Sequence, residues 1–173
     1  SMATIHAKAG NAAGADAAIG EAQALERPDW PLRLRMCHTD DQRRVAKYLG
    51  RMEQSLTMSR QYLQMRQDAG AGTVPALSGL ADTELAAGQA EAAVRTGLAL
   101  VAQLEGTREE QELAHARLNL CAAYLSLDQL QPALSTAVLG WKMAERFGMQ
   151  AWWADYLALL AALNGRPQAA ALL

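Results

Sequence analysis

Aromatic residues are scarce. Four Trp, four Tyr and one Phe make up 5% of 173 residues. Sheets rely on aromatic and β-branched residues to cover a pleated surface, so this composition suits closely packed helices instead. Cysteine is nearly absent. Cys37 and Cys121 lie far apart without metal-type spacing, and the pair reads as free structural thiols rather than a disulfide. Positive charge is not in surplus: 16 Lys and Arg face 18 Asp and Glu, for a net charge of −2. A duplex-binding segment usually carries a basic footprint, so direct nucleic-acid contact is not expected. No stretch reads as a signal peptide or as an apolar run of ~20 residues. No membrane contact and a cytoplasmic location are therefore expected. Ser1-Met2 reads as an expression remnant, and the chain is expected to be a piece of a longer protein.

Motifs for chemistry are missing too. His6, His38 and His115 have no His-x-x-x-His or Glu-x-x-His partner, so no metal site is expected. Ala69-Gly70-Ala71-Gly72 is a loop without the Gly-x-x-x-x-Gly-Lys-Ser/Thr of a phosphate cradle. Asp82 and Glu84 form no obvious acid/base pair, and no Ser or Cys has a base and an orienting acid near it in sequence. The expectation is a non-catalytic chain without cofactor.

What is present is a repeat. Gly10, Gly50, Gly88, Asp128 and Gly165 recur at intervals of 40, 38, 40 and 37 residues. Five places after each comes a small residue: Ala15, Ser55, Ala93, Ala133 and Ala170. This period points to stacked helical hairpins. The mark ends the first helix of each hairpin, where a left-handed residue is favoured. The small residue lets the two helices cross closely.

Taken in order, Asn11 to Glu26 matches a second helix, with its first helix missing or reduced to the residues before Gly10. Arg27-Pro28-Asp29-Trp30-Pro31 is a proline-bracketed turn, with Trp30 a plug between hairpins. Leu32 to Leu49 is an Arg-rich helix with Leu34, Cys37, Val45 and Leu49 as its apolar positions. Its Asp40-Asp41 and Arg43-Arg44 pairs read as a solvated face. Met52, Leu56, Tyr62, Leu63 and Met65 stripe the next helix, to about Asp68. Thr73 and Pro75 begin another, which runs to about Ala87. Ala90 to Leu104 follows, with Val94, Leu98 and Val101 expected inward. Thr107 and Glu110 have capping-box spacing before a helix to about Leu127. Pro132 lies in the first turn of a helix carrying Leu134, Val138, Trp141, Met143 and Phe147. Gln150 to Leu163 carries Trp152, Trp153 and Tyr156, and Gln168 to Leu173 begins one more helix.

This pattern resembles the tetratricopeptide repeat. Leu120, Cys121, Tyr124, Ala133 and Ala137 fall where that family places its Leu, small, aromatic and Ala residues. Leu80, Ala81, Gly88 and Ala93 match in the preceding unit, and Leu157, Ala158, Gly165 and Ala170 in the last. Gln42 and Arg43 replace the Leu-small pair in the second unit, and Gly97 and Gly140 occupy second helices where Ala is usual. The resemblance implies an all-α fold: a right-handed α-solenoid of about four helical hairpins in a single domain. Its units run approximately over 5–27, 32–69, 73–105, 108–147 and 150–173.

In that family the first helix of each hairpin lines a concave groove where partners bind. Carried over, this places Arg44, Lys47, Asp82, His115, Asn119, Trp152, Asp155 and Tyr156 on the binding surface. The family's chaperone-binding clamp needs a Lys/Asn/Lys/Arg set, of which only Asn119 is in place. The last units also look like the repeat region of large bacterial ATPase-type transcriptional regulators. That implies a sensor or protein-interaction module, with ATP and DNA bound by other domains of the parent chain. A free-standing adaptor for a peptide or partner protein is the alternative, and a small-molecule-binding repeat around Trp152 and Tyr156 the third. Apolar repeat ends would allow a homodimer.

Overall fold

Alternating turn glycines and apolar helical stripes dictate helices joined by tight turns, and the protein is built so. The computed structural model describes residues 1–27, 29–146 and 148. Among them are eight α-helices and no strand: α1 (Met2–Lys8), α2 (Ala12–Leu25), α3 (Leu32–Tyr48), α4 (Met52–Asp68), α5 (Val74–Ala86), α6 (Ala90–Leu104), α7 (Glu110–Ser126) and α8 (Leu130–Arg146). The expected last unit, 150–173, lies outside the described residues, as do Phe147 and Gly165. No helix among the described residues is long and apolar enough to cross a membrane.

The register marks fall at the helix ends. Gly10, Gly50 and Gly88 have φ of 73°, 74° and 73°, and Asp128 takes 55°. At Gly50 the reason is explicit. Its amide donates to the Lys47 carbonyl at 3.0 Å, and the Arg51 amide to the Ala46 carbonyl at 2.8 Å. These two bonds use carbonyls that the end of α3 would otherwise leave unpaired, and they require a left-handed residue between them. Asp128 manages without glycine, because Asp visits that region more readily than most residues. The same pair of bonds runs from Asp128 to Leu125 and from Gln129 to Tyr124.

The chain divides into two compact units, Ser1–Ala87 and Gly88–Leu173. In the first, α1 packs on α2 and α3, α3 on α4, and α4 on α5. Three-residue turns force the pairs α1/α2 and α3/α4 to run antiparallel. The α1 helix is the reduced first helix, seven residues long with Ala3 and Ala7 buried. Ala3, Ala7, Ala15 and Val45 form one core cluster, flanked by Ala18, Ile19 and Leu49. Met36, Tyr62 and Ala76 form another, with Leu63 and Met65 against it. In the second unit α7 packs on α6 and α8. Cys121, Ala133 and Ala137 are its fully buried centre, surrounded by Leu118, Tyr124, Leu125, Leu130, Leu134 and Trp141. Leu100 and Leu104 are also fully buried, each worth about 1.5–3 kcal/mol of transfer free energy.

One contact recurs in three hairpins. The residue seven before the turn mark meets the residue five after it. Ala3 and Ala15 share a cluster, the Ser55 hydroxyl donates to the Arg43 carbonyl at 3.0 Å, and the Cys121 thiol donates to the Ala133 carbonyl at 3.4 Å. The small residue five after the mark (Ala15, Ser55, Ala133) lets the two helices approach closely, and its recurring spacing in sequence is the trace of that contact. Burial also pushes the Cys121 thiol up to about 12, so it stays protonated and packs as a small apolar group.

Several expectations are corrected. Leu34 is half exposed and Cys37 is exposed. The buried face of α3 instead carries Met36, His38, Thr39, Arg43, Val45 and Ala46, so Arg43 is not on a solvated face. In α6 the inward stripe is Ala90, Ala93, Gly97, Leu100 and Leu104, while Leu98 is 48% exposed. The stripe turns Gly97 toward α7. A Cβ on Gly97 would meet Leu120 Cδ1 at 3.2 Å. The Thr107–Glu110 capping box does not form, since α7 begins with Glu109 at its N-cap. The Thr107 hydroxyl instead donates to the Leu104 carbonyl and accepts from the Glu109 amide. Trp30 is partly buried, edge-on to His38 with ring centroids 6.4 Å apart.

Candidate interaction surface

The residues expected to bind come from first helices. Arg44 and Lys47 lie three apart near the end of α3, and Asp82 lies in α5. All three belong to the first unit, and each is held by an ion pair. The Lys47 ammonium pairs with the Asp82 carboxylate across the two helices. Arg44 Nη2 pairs with Asp40 Oδ2 at 2.8 Å, and Arg43 Nε donates to Asp40 Oδ1 at 2.8 Å. Asp40 therefore serves two guanidiniums with its two oxygens. Exposure falls steeply through the set: the Arg44 side chain is 51% exposed, Lys47 19% and Arg43 7%.

Tyr48 extends this surface. Its ring is 42% exposed, with the Lys8 ammonium 5.1 Å and the Lys47 ammonium 5.4 Å from its centroid. Both distances suit a cation–π contact. This rim thus joins cations to an aromatic face, a mixture suited to contact with an acidic or polar partner.

Beneath the network lies a seam of hydroxyls. Ser55, Ser59 and Thr83 are fully buried. Thr83 donates to the Gly79 carbonyl at 2.8 Å, Ser59 to the Ser55 carbonyl at 2.8 Å, and Ser59 Oγ lies 3.3 Å from Thr83 Oγ1. Each hydroxyl has a partner, as buried polar groups require. Glu84 differs. It is 5% exposed, and its Oε2 has no hydrogen-bond partner.

His115 and Asn119 are on α7, in the second unit. They are partly buried, with Asn119 Nδ2 3.5 Å from His115 Nε2 one helical turn away. Trp152, Asp155 and Tyr156 lie outside the described residues. No group of three or more His, Cys, Asp or Glu among the described residues could hold a metal ion.

Sequence reasoning missed Arg43, Asp40 and Gly79. Arg43 occupies the place that holds Ala3, Ala81 and Cys121 in the other units, and it is just as buried, at 5% exposure. Its room comes from Gly79 on α5, where a Cβ would lie 2.9 Å from Arg43 Cζ. The signal was available: an Arg in a small-residue register and a Gly inside a helix, where Gly costs about 1 kcal/mol against Ala. No family model matches the chain, and searches of curated proteins and of solved structures find no match.

Proposed function

We propose that the chain is a non-catalytic interaction or sensor module of the tetratricopeptide type, and that its first-helix surface receives a protein or peptide partner. The observation that carries this reading is the polar surface of α3 and α5. There Arg44, Lys47 and Asp82 are held in place by ion pairs rather than scattered. A pre-ordered polar surface reduces the side-chain entropy lost on binding. The recurring turn residues and the recurring hairpin contact support the repeat assignment, and repeats of this kind serve as extended recognition surfaces.

The parent protein, in this proposal, is a bacterial signal-transduction ATPase or transcriptional regulator, with this segment as its regulatory repeat region. The support is the resemblance of the later units to such regions. Sequencing the coding DNA on both sides of the segment tests it. A Gly-x-x-x-x-Gly-Lys-Ser/Thr motif and a basic winged-helix segment upstream are the expected result. Stop codons close to both ends would overturn the regulator assignment and leave a free-standing adaptor.

A further inference from the structure

The fold uses only part of the Arg43 guanidinium. Nε donates to Asp40 Oδ1 at 2.8 Å, and Nη1 makes a long 3.4 Å contact with the Gly79 carbonyl. Asp40 does not close the fork. It turns its second oxygen to Arg44 Nη2, so Nη2 of Arg43 has no acceptor among the described residues. A guanidinium has five N–H donors in a fixed plane, and Nη2 is not fully buried, so its free donors meet solvent at the edge of an otherwise buried side chain. Arg43 and Arg44 share the single carboxylate of Asp40, so this set of ion pairs holds two guanidiniums against one acid.

Placement argues that this is a built feature. Arg43 takes a position that is small in the other units, and Gly79 removes the Cβ that would collide with it. The hydroxyl of Ser55 holds the Arg43 carbonyl from behind. The guanidinium is thus fixed by its backbone, by Asp40 and by the bare α5 backbone, with Nη2 left over and two more cations, the exposed Arg44 and the partly buried Lys47, beside it.

We propose that Arg43 is a carboxylate-binding point that takes an Asp or Glu side chain of a partner segment, with Arg44 and Lys47 as its flanking cations. The incoming carboxylate would accept from Nη2 of Arg43 and balance the two guanidiniums that share Asp40. A pair with a pre-oriented guanidinium is stronger and more directional than one with an ammonium. Two further cations within one helical turn favour a segment with successive acidic residues over one isolated charge. This inference rests on the partner-binding reading above and names the chemistry of the partner.

The test uses the whole chain and a fluorescent hexaglutamate peptide, blocked at both ends, at a fixed ionic strength of about 0.1 M so that screening is constant. Blocked hexaglutamine and hexaglutamine with a free carboxylate end are the comparison peptides. Hexaglutamate is expected to bind and blocked hexaglutamine is not. Arg43→Lys keeps the charge but loses the fork, and is expected to weaken binding roughly tenfold or more. Gly79→Ala, which keeps Arg43 but displaces its guanidinium, is expected to weaken it in the same direction, and helix content is checked for both. Arg95→Gln, on α6, removes one charge elsewhere and is expected to change binding little.

Equal binding by Arg43→Lys and the unaltered chain would overturn the proposal, because a diffuse charge effect would explain the result. Equal binding of hexaglutamine with a free end would overturn the assignment to acidic side chains. Absence of hexaglutamate binding would overturn it as well. If display-selected peptides without acidic residues still bind the α3–α5 surface, the broader interaction reading survives that failure.

Discussion

Arg43 and Gly79 are a matched pair. A Cβ built on Gly79 would lie 2.9 Å from Arg43 Cζ and 3.0 Å from its Nε. Gly79→Ala should therefore act in opposite directions in two backgrounds. With Arg43 present, the guanidinium must shift and weaken its bonds to Asp40 and the Gly79 carbonyl, and a net loss of about 1 kcal/mol is expected. In an Arg43→Ala background the same change should stabilise by up to about 1 kcal/mol, through helix propensity alone. Urea unfolding of the four proteins gives the coupling. The same sign in both backgrounds would mean that the two residues are not matched.

The turn marks make a second prediction. Nothing lies within 4 Å of a Cβ built on Gly50, whose φ is +74°. Gly50→Ala then costs only the left-handed conformation, about 1–2 kcal/mol. Ala at Gly20, a helical site with equal room, should instead be neutral or stabilising. Thermal melts of the two variants make the comparison.

Thiol chemistry separates the two cysteines. Cys37 is exposed and Cys121 is buried, with its thiol pushed up to about 12 by desolvation. A thiolate is the reactive form, so a maleimide or disulfide reagent near neutral pH should label Cys37 alone in the folded protein. Both should react once it is denatured. Mass spectrometry of the labelled peptides reads the outcome, and rapid labelling of Cys121 in the native state would contradict the packing of α7 on α8.

Acid should weaken the ion pair between Asp16 on α2 and Arg51 at the N-cap of α4. The hydrogen bond from the Arg51 guanidinium holds the Asp16 carboxyl below its ordinary value, with desolvation opposing and the charge of Arg51 adding to it. A group whose folded pKa is lowered contributes stability above its unfolded value of about 4 and loses it as pH falls through the folded value. Asp16→Asn should thus flatten the stability curve below about pH 4 and leave its shape near neutrality unchanged. High salt should shrink the difference, because both side chains are substantially exposed. An unchanged acid limb would mean that the pair contributes nothing.

The sequence carried the helices and their turns legibly because both are written locally. A left-handed Gly50 or Gly88 ends a helix wherever it stands, and an Ala or Ser five places later reports a close crossing. Tertiary rotation was less legible. Apolar residues pointed to Leu34 and Leu98, whereas the structure buries Arg43 on α3 and Gly97 on α6. In both helices the inward face is chosen by what the neighbouring helix leaves room for, and that is a non-local fact. The candidate surface was legible in part. Arg44, Lys47 and Asp82 were singled out from the sequence and each is ion-paired, but the shared role of Asp40 and the fit of Arg43 against Gly79 depend on side-chain paths that spacing does not encode.

The most direct measurement on the central claim is the affinity of one display-selected peptide for the whole chain and for its Arg44→Ala/Lys47→Ala double variant. The account predicts roughly tenfold weaker binding or more by the variant, with unchanged helix content and a melting point lowered only slightly, as partly exposed ion pairs imply. Equal affinity of the two proteins would contradict it and remove the α3–α5 surface as the place where the partner is received.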